Sequence, residues 1–370
     1  MVRLLLLLLV TGWTYSEASI SLSRTQSLRM AIILFRHGDR SPISTYQTDP
    51  YRNYPWIGGF LALQPKGIAQ MYDLGRRLRD RYGFLLPEHG MYTRESTQVL
   101  SSASERCILT AQSLLAAFYE PSKDAIDIPI RWQPVTVNVL KPEDDILLGQ
   151  RRSCPRLNQI RDELMVNPPP EFEQWLREGI AMKDYVSASI GLALPTMRHL
   201  FEICDALEVY HEHGFELPAW AGKIFPDQVS EFIRGYQLTF SGTEELKRIR
   251  GGAILKDLIA KMRASQNGTL SQSLLFYSGH DVTQTNLFNA MGVEQLLKGR
   301  PGYGATTVFE LHETVGSDME VRMFHYANTD QRDPIFVHIP NCGKPCSLVH
   351  FERSVSGMLL EDYDRQCSRQ

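Results

Sequence analysis

The chain has 370 residues, 43% of them apolar and 22% charged, with a net charge of −3. That length and composition support one large domain or two with ample core. The near-neutral balance excludes a basic stripe for nucleic acid and a strongly acidic tail.

Arg3, the apolar run Leu4 to Val10 and the small-x-small triplet Ser16-Glu17-Ala18 read as a signal peptide over residues 1–18. The apolar run is too short to span a bilayer, and no later stretch reaches about 18 consecutive apolar residues, so no membrane anchor is expected. The polar C-terminal stretch carries no retention or lipidation signal. A soluble protein of the secretory pathway follows, secreted or held in the lysosomal lumen. Six cysteines fit that compartment.

Met30-Ala31-Ile32-Ile33-Leu34-Phe35 is an apolar run ended by Gly and Pro punctuation, which reads as a buried parallel strand. Arg36-His37-Gly38-Asp39-Arg40-Ser41-Pro42 follows directly. Ligands of open α/β sheets bind outside the carboxyl ends of such strands. Arginine suits oxyanions because its planar fork can bind phosphate bidentately. A histidine in that field is a candidate nucleophile toward phosphorus.

A loop rich in Pro, Tyr and Trp runs from Ser41 to Gln64, its aromatics expected to pack on the surface. Pro65 opens a helix with apolar positions Ile68, Met71, Leu74, Leu78 and Tyr82, and Arg76, Arg77, Arg79 and Arg81 on a solvated face. A second strand covers Thr97 to Leu100. Ser102 to Glu105 reads as a capping box for the next helix. That puts Arg106 in the helix's first turn, where a cation opposes the helix dipole and an anion nearby would relieve it.

Residues 151–245 read as successive helices broken by Pro168-Pro169-Pro170, Pro195 and Pro218, a helical cap inserted between core segments 19–150 and 246–370. His211-Glu212-His213 has metal-like spacing but no third ligand in sequence, so a loop is expected there and no metal site. Asn267-Gly268-Thr269 is a glycosylation sequon in a polar stretch. A helix near Gly251 to Ala264 and a strand Leu274 to Tyr277 precede Ser278-Gly279-His280-Asp281. A helix then runs from Val282 to Met291, stopped by Gly292. Val308–Leu311 and Val321–Tyr326 read as a hairpin at the sheet edge. Cys342 and Cys346 flank a three-residue loop that a local disulfide would close. The other four cysteines allow three pairings.

The fold class expected is α/β, with a mostly parallel central sheet flanked by helices and an inserted helical cap. Three strands then end in polar groups on one rim: Arg36, His37 and Arg40; Arg106; and His280 with Asp281. These residues carry a resemblance to the histidine acid phosphatases, in the branch that holds the secreted, prostatic and lysosomal-type acid phosphatases. Arg36 to Pro42 and His280-Asp281 match the family's two signatures, with Trp132-Gln133-Pro134 and Cys154-Pro155-Arg156 as lesser landmarks. The likeness runs from about Ser27 to Cys367.

The resemblance implies a phosphate monoesterase acting on small molecules or peptides without metal or other cofactor. His37 would form a phosphohistidine and Asp281 would protonate the leaving alcohol. Arg36, Arg40, Arg106 and His280 would hold the phosphoryl oxygens. A donor near the ordinary aspartate value of about 3.9, with a nucleophile kept neutral by its arginines, gives an acid optimum. The resemblance also implies disulfides Cys154–Cys367 and Cys342–Cys346, and a homodimer through the Trp132 segment. Relatives commonly pair a cysteine at the Cys204 position with one near Ala305; none stands there, so Cys107 and Cys204 are free or joined to each other. Asp39 is read as a structural or supporting carboxylate, with orienting an arginine as one role open to it. A phytase, a lipid-phosphate phosphatase on the same fold, and a secreted binding protein without turnover are the rival readings.

Overall fold

The computed structural model describes residues 27–368 except Asp124, Lys298 and 315–317. The segment read as a signal peptide lies outside the described residues. The elements in chain order begin with β1 (Leu28–Arg36), α1 (Pro65–Tyr82), β2 (Thr97–Ser101), α2 (Glu105–Phe118) and β3 (Asn138–Val139). Four helices follow: α3 (Pro155–Val166), α4 (Pro170–Ile190), α5 (Met197–Glu212) and α6 (Asp227–Leu238). The chain continues through α7 (Glu244–Gln266), β4 (Leu274–Gly279), α8 (Asp281–Met291), β5 (Thr306–Glu313), β6 (Met319–Tyr326) and β7 (Ile335–Val337). It closes with α9 (Leu348–Val355) and α10 (Tyr363–Cys367).

The seven strands form one mixed sheet in the order β3-β2-β4-β1-β5-β6-β7. The four strands from β3 to β1 pair in parallel, and pairing from β1 outward is antiparallel. β1 is buried on both faces, which is why its sequence is an unbroken apolar run. Met30, Ile32 and Leu34 face a layer containing Leu255, Leu258, Leu287 and Phe351 from α7, α8 and α9. Ala31, Ile33 and Phe35 face Met71, Leu74, Leu114 and Phe118 from α1 and α2. Helices α4, α5 and α6 share a separate core that includes Val186, Leu200, Leu207, Val229 and Ile233.

Several local expectations change. β5 is an interior strand paired with β1, so the hairpin is not at the sheet edge; β7 takes that place. Ile68 is exposed, because Gly67 and Gly75 occupy the buried side of α1. A Cβ on Gly75 would come within 2.1 Å of the Leu114 carbonyl, so close α1–α2 contact requires glycine there. The expected capping box at Ser102 does not form: α2 starts at Glu105 after Ser104, and the Ser102 hydroxyl serves His280. Of the arginines read as a solvated face, Arg77 donates to the Thr329 and Gln331 carbonyls and Arg79 to those of Phe118 and Glu120, while Arg81 pairs with Glu310. Trp56 is buried against Tyr210, so the aromatic loop is partly core. His211 and Glu212 belong to the last turn of α5, not to a loop. Disulfides join Cys154 to Cys367 and Cys342 to Cys346; Cys107 and Cys204 are free and buried.

Candidate active site

The parallel register explains why distant motifs meet. Arg36 lies opposite Gly279 in β4, and Ser101 lies opposite Ser278. All three strands run the same way, so the residues that leave them, His37, Ser102 and His280, share one rim. β5 runs antiparallel to β1, with Thr306 opposite Phe35. The segment entering β5, residues 299–305, therefore arrives at the rim where β1 exits. Backbone bonds lock the junction: the Arg36 N–H donates to the Ala305 carbonyl (2.9 Å), that of His37 to Gly279 (3.2 Å) and that of Gly304 to His37 (3.1 Å). The loop after His37 presses on the first turn of α1, where a Cβ on Gly38 would lie 2.6 Å from the Gly67 carbonyl oxygen.

His37 lines a cleft of about 310 Å³ with Arg40, Arg106, His280, Asp281 and Arg300. Its Nδ1 lies 2.9 Å from the Gly38 carbonyl. A carbonyl only accepts, so Nδ1 carries the proton and Nε2 is left with its lone pair. Burial, then Arg106, Arg36 and Arg40, push its pKa well below the usual histidine value. A neutral, singly tautomeric imidazole is the form a nucleophile needs.

The arginines around it are held from behind and open in front. Arg36 donates from Nη1 to the Pro301 carbonyl (2.5 Å), covers the Tyr303 ring, and has Nη2 3.3 Å from Asp281 Oδ2. Arg40 makes a bidentate pair with Asp205 (2.9 and 2.7 Å). Nε of Arg36, Arg40 and Arg106, and Nη2 of Arg36, are buried without a hydrogen-bond partner. Unsatisfied buried donors are rare in proteins and cost about 1–3 kcal/mol each. A tetrahedral oxyanion in the cleft would satisfy them together.

His280 is used differently from the expectation. Its Nδ1 accepts from Arg106 Nη2 (3.1 Å), so the proton is on Nε2 and donates to Ser102 Oγ (3.0 Å). Both ring nitrogens are engaged inside the protein, and His280 orients Arg106. Burial, then Arg106, lower its pKa to about 3. Asp281 also departs from the expectation of an ordinary carboxylic acid. Burial alone would raise its pKa; Arg36, then Arg300 and Arg40, outweigh that and hold it at about 2. Beside these arginines it is a carboxylate. Asp39 orients no arginine: its carboxylate accepts from His213 Nε2 (2.8 Å) and faces Lys66 at 3.9 Å.

Three residues of this site escape sequence reasoning. Asp205, fully buried on α5, takes hydrogen bonds from Arg40, Arg300 and the Ile43 N–H. Arg300 also pairs with Glu208 and places Nε 3.6 Å from Asp281 Oδ2. The signals were present: Asp205 sits between Ile203-Cys204 and Ala206-Leu207, a charge in an apolar stripe, and Arg300 lies in the Gly- and Pro-rich run 299–304. Among the described residues no cluster of three or more His, Cys, Asp or Glu side chains could hold a metal ion.

Residues 27–327 match the family profile described as Histidine phosphatase superfamily (branch 2). The chain is 30% identical over 375 residues to prostatic acid phosphatase of Bos taurus, covering 99% of this chain and 93% of that one. It is 29% identical over 351 residues to lysosomal acid phosphatase of Homo sapiens, covering 93% and 81%. The phytase structure from Citrobacter braakii superimposes with a TM-score of 0.66 at 16% identity, covering 93% of this chain and all of that one; at that identity it bears on the fold alone. With a family match across most of its length, this chain belongs to branch 2 of the histidine phosphatase superfamily.

Proposed function

We propose that the protein is an acid phosphatase that hydrolyses phosphate monoesters through a phosphohistidine on His37. One observation carries the reading: a neutral imidazole with its Nε2 lone pair available stands among three arginines whose buried donors lack partners. Phosphoryl transfer proceeds through a loose transition state that needs positioning and positive charge more than covalent assistance. The cleft supplies both.

In the first step the Nε2 lone pair of His37 forms a bond to phosphorus as the ester P–O bond breaks, and Asp281 gives the leaving oxygen a proton. In the second, water attacks phosphorus, Asp281 takes the water's proton, and the P–N bond breaks to release phosphate and free His37. Asp281 is ionised beside Arg36, Arg300 and Arg40, so it first takes the proton it later donates from the P–OH of the bound ester. A phosphate monoester loses its last proton near pH 6. Below that it enters as a monoanion and its charge offsets Arg36 and Arg40, the groups that hold Asp281 ionised. Acid activity then reflects the substrate's protonation as much as the enzyme's. His280 acts through Arg106 rather than by direct contact.

Around this centre, the helices of residues 151–245 act as a cap over the leaving group. The relatives' names support a secreted or lysosomal location, with residues 1–18 as leader. Among the described residues no helix is long and apolar enough to cross a membrane. Asn267, exposed at the end of α7, is the glycan acceptor. Ile128, Ile130 and Trp132 form an exposed apolar strip suited to a homodimer contact. The deciding experiment measures monoester hydrolysis from pH 3 to 8 for the native chain and His37→Ala, with trapping of an acid-labile phosphoenzyme. The variant should lose both activity and label. Retained turnover in His37→Ala overturns the mechanism.

A further inference from the structure

The leaving-group half of the cleft holds cations that the hydrolysis does not use. Six arginines line the cleft: Arg40, Arg106, Arg151, Arg198, Arg250 and Arg300. Carboxylates neutralise three of them. Asp205 pairs with Arg40 and Arg300, Glu208 also with Arg300, and Glu202 with Arg198. Among the described residues no carboxylate lies within ion-pair distance of the other three. Arg106 belongs to the transferred phosphoryl group. Arg151 and Arg250 remain.

These two flank Gln150. Arg151 follows it in sequence, and Arg250 donates from Nη1 to its carbonyl (2.5 Å). Arg250 Nε is buried and has no hydrogen-bond partner. Burial lowers its pKa to about 10, with Arg161 adding repulsion and Tyr363 and Asp145 opposing the shift. Asp145 is beyond ion-pair distance of Arg250, and its carboxylate caps the loop by accepting from the N–H groups of Leu147, Leu148 and Gly149. Gln150 stands in the left-handed region (φ 51°) and is fixed there by Asn286 Nδ2, 2.7 Å from its Oε1. A buried guanidinium without a counter-ion is costly, and such costs concentrate at binding sites.

We propose that Arg250 and Arg151 form a subsite for a second anionic group on the substrate's leaving alcohol, a phosphate or a carboxylate. Asp281 and Asn286, which holds Gln150 between the two arginines, both line the cleft five residues apart on α8, an axial rise of about 7.5 Å that gives the scale of spacer to test. The stacked pair Phe201–Tyr236, with centroids 4.4 Å apart, lines the space between as an apolar wall. The preferred substrate is therefore a monoester with an apolar spacer of about that length and an anion at its far end. This inference rests on the phosphatase reading above.

The test compares hexyl phosphate with its ω-carboxylate analogue and with hexanediol bisphosphate. The native chain should prefer an anionic substrate about 10- to 100-fold in kcat/KM, the scale of one charge-assisted contact. Whether carboxylate or bisphosphate gains more identifies the anion. In Arg250→Gln the ratio should fall toward one, and Arg250→Lys should restore part of it. Arg151→Gln serves if the first variant does not fold. A native ratio near one, or a ratio unchanged in both glutamine variants, overturns the subsite. If the native chain turns over none of the three, the phosphatase reading fails. Calorimetric binding of hexyl phosphate and hexanediol bisphosphate to His37→Ala then still decides the subsite.

Discussion

At the end of the cleft proposed to hold the phosphoryl group, His37, Ser102 and His280 leave strands held in adjacent register, and backbone hydrogen bonds fix their spacing. At the leaving-group end, the polar groups come from the loop around Gln150, the face of α8 and the helices α5 to α7. The first end is rigid because moving His37 would break sheet pairing. The second can be rebuilt by side-chain exchange without touching the sheet. Chemistry common to a family belongs at the first, and selection among substrates at the second.

The largest effect should come from the phosphoryl end. Asp281→Asn should lower kcat by about 10²–10⁴-fold, the range for general acid–base groups. The loss should be large for alkyl phosphates and small for para-nitrophenyl phosphate, whose leaving group needs no proton. Steady-state kinetics on both substrates checks this, and equal losses would remove Asp281 as the donor.

Asp205 joins the two ends, since it is the partner of both Arg40 and Arg300. Asp205→Asn leaves two buried arginines short of a counter-charge and should cost about 3–5 kcal/mol of stability. Denaturant unfolding measures it. A cost below about 1 kcal/mol would mean that the phosphoryl end does not depend on this buried pairing.

The smallest expected effect is on stability in acid. His280 is buried neutral with its pKa lowered to about 3, and His325 to about 4. The unfolded chain takes up these protons near pH 6.5 and the folded chain does not. Stability is therefore full above that value and falls as pH drops toward the folded pKa values. Each site contributes roughly 2 kcal/mol of loss between pH 6.5 and 5. The depressed Asp281 adds loss in the same direction, but only below about pH 3.9, where the unfolded chain takes up its proton first. Thermal unfolding should show a declining midpoint from pH 6.5 to 4.5. His280→Asn should flatten the slope, and an unchanged slope would mean that His280 is not buried neutral.

The motif from Arg36 to Pro42 was legible in the sequence because its signals are local. An apolar run buried on both faces had to be a strand, and a Gly-rich polar segment had to follow its end. Arg106 could be placed in a first turn for the same reason. Asp205 and Arg300 stood out locally, but neither they nor Arg250 could be assigned to the site, because nothing local says which segments meet. The partner of Asp39 was misread for that reason too. An arginine is its neighbour in sequence, but His213, 174 residues away, is its neighbour in space.

By itself the sequence determined the strand, the position of His37 at its end and the family, because period, punctuation and motif are properties of consecutive residues. Tertiary structure alone decided the tautomer of His37, the engaged state of His280, the ionised state of Asp281 and the unpaired charge of Arg250. These depend on burial and on electric fields from groups brought together by strand register and helix packing. Such fields fall off with distance in space and carry no mark of separation along the chain.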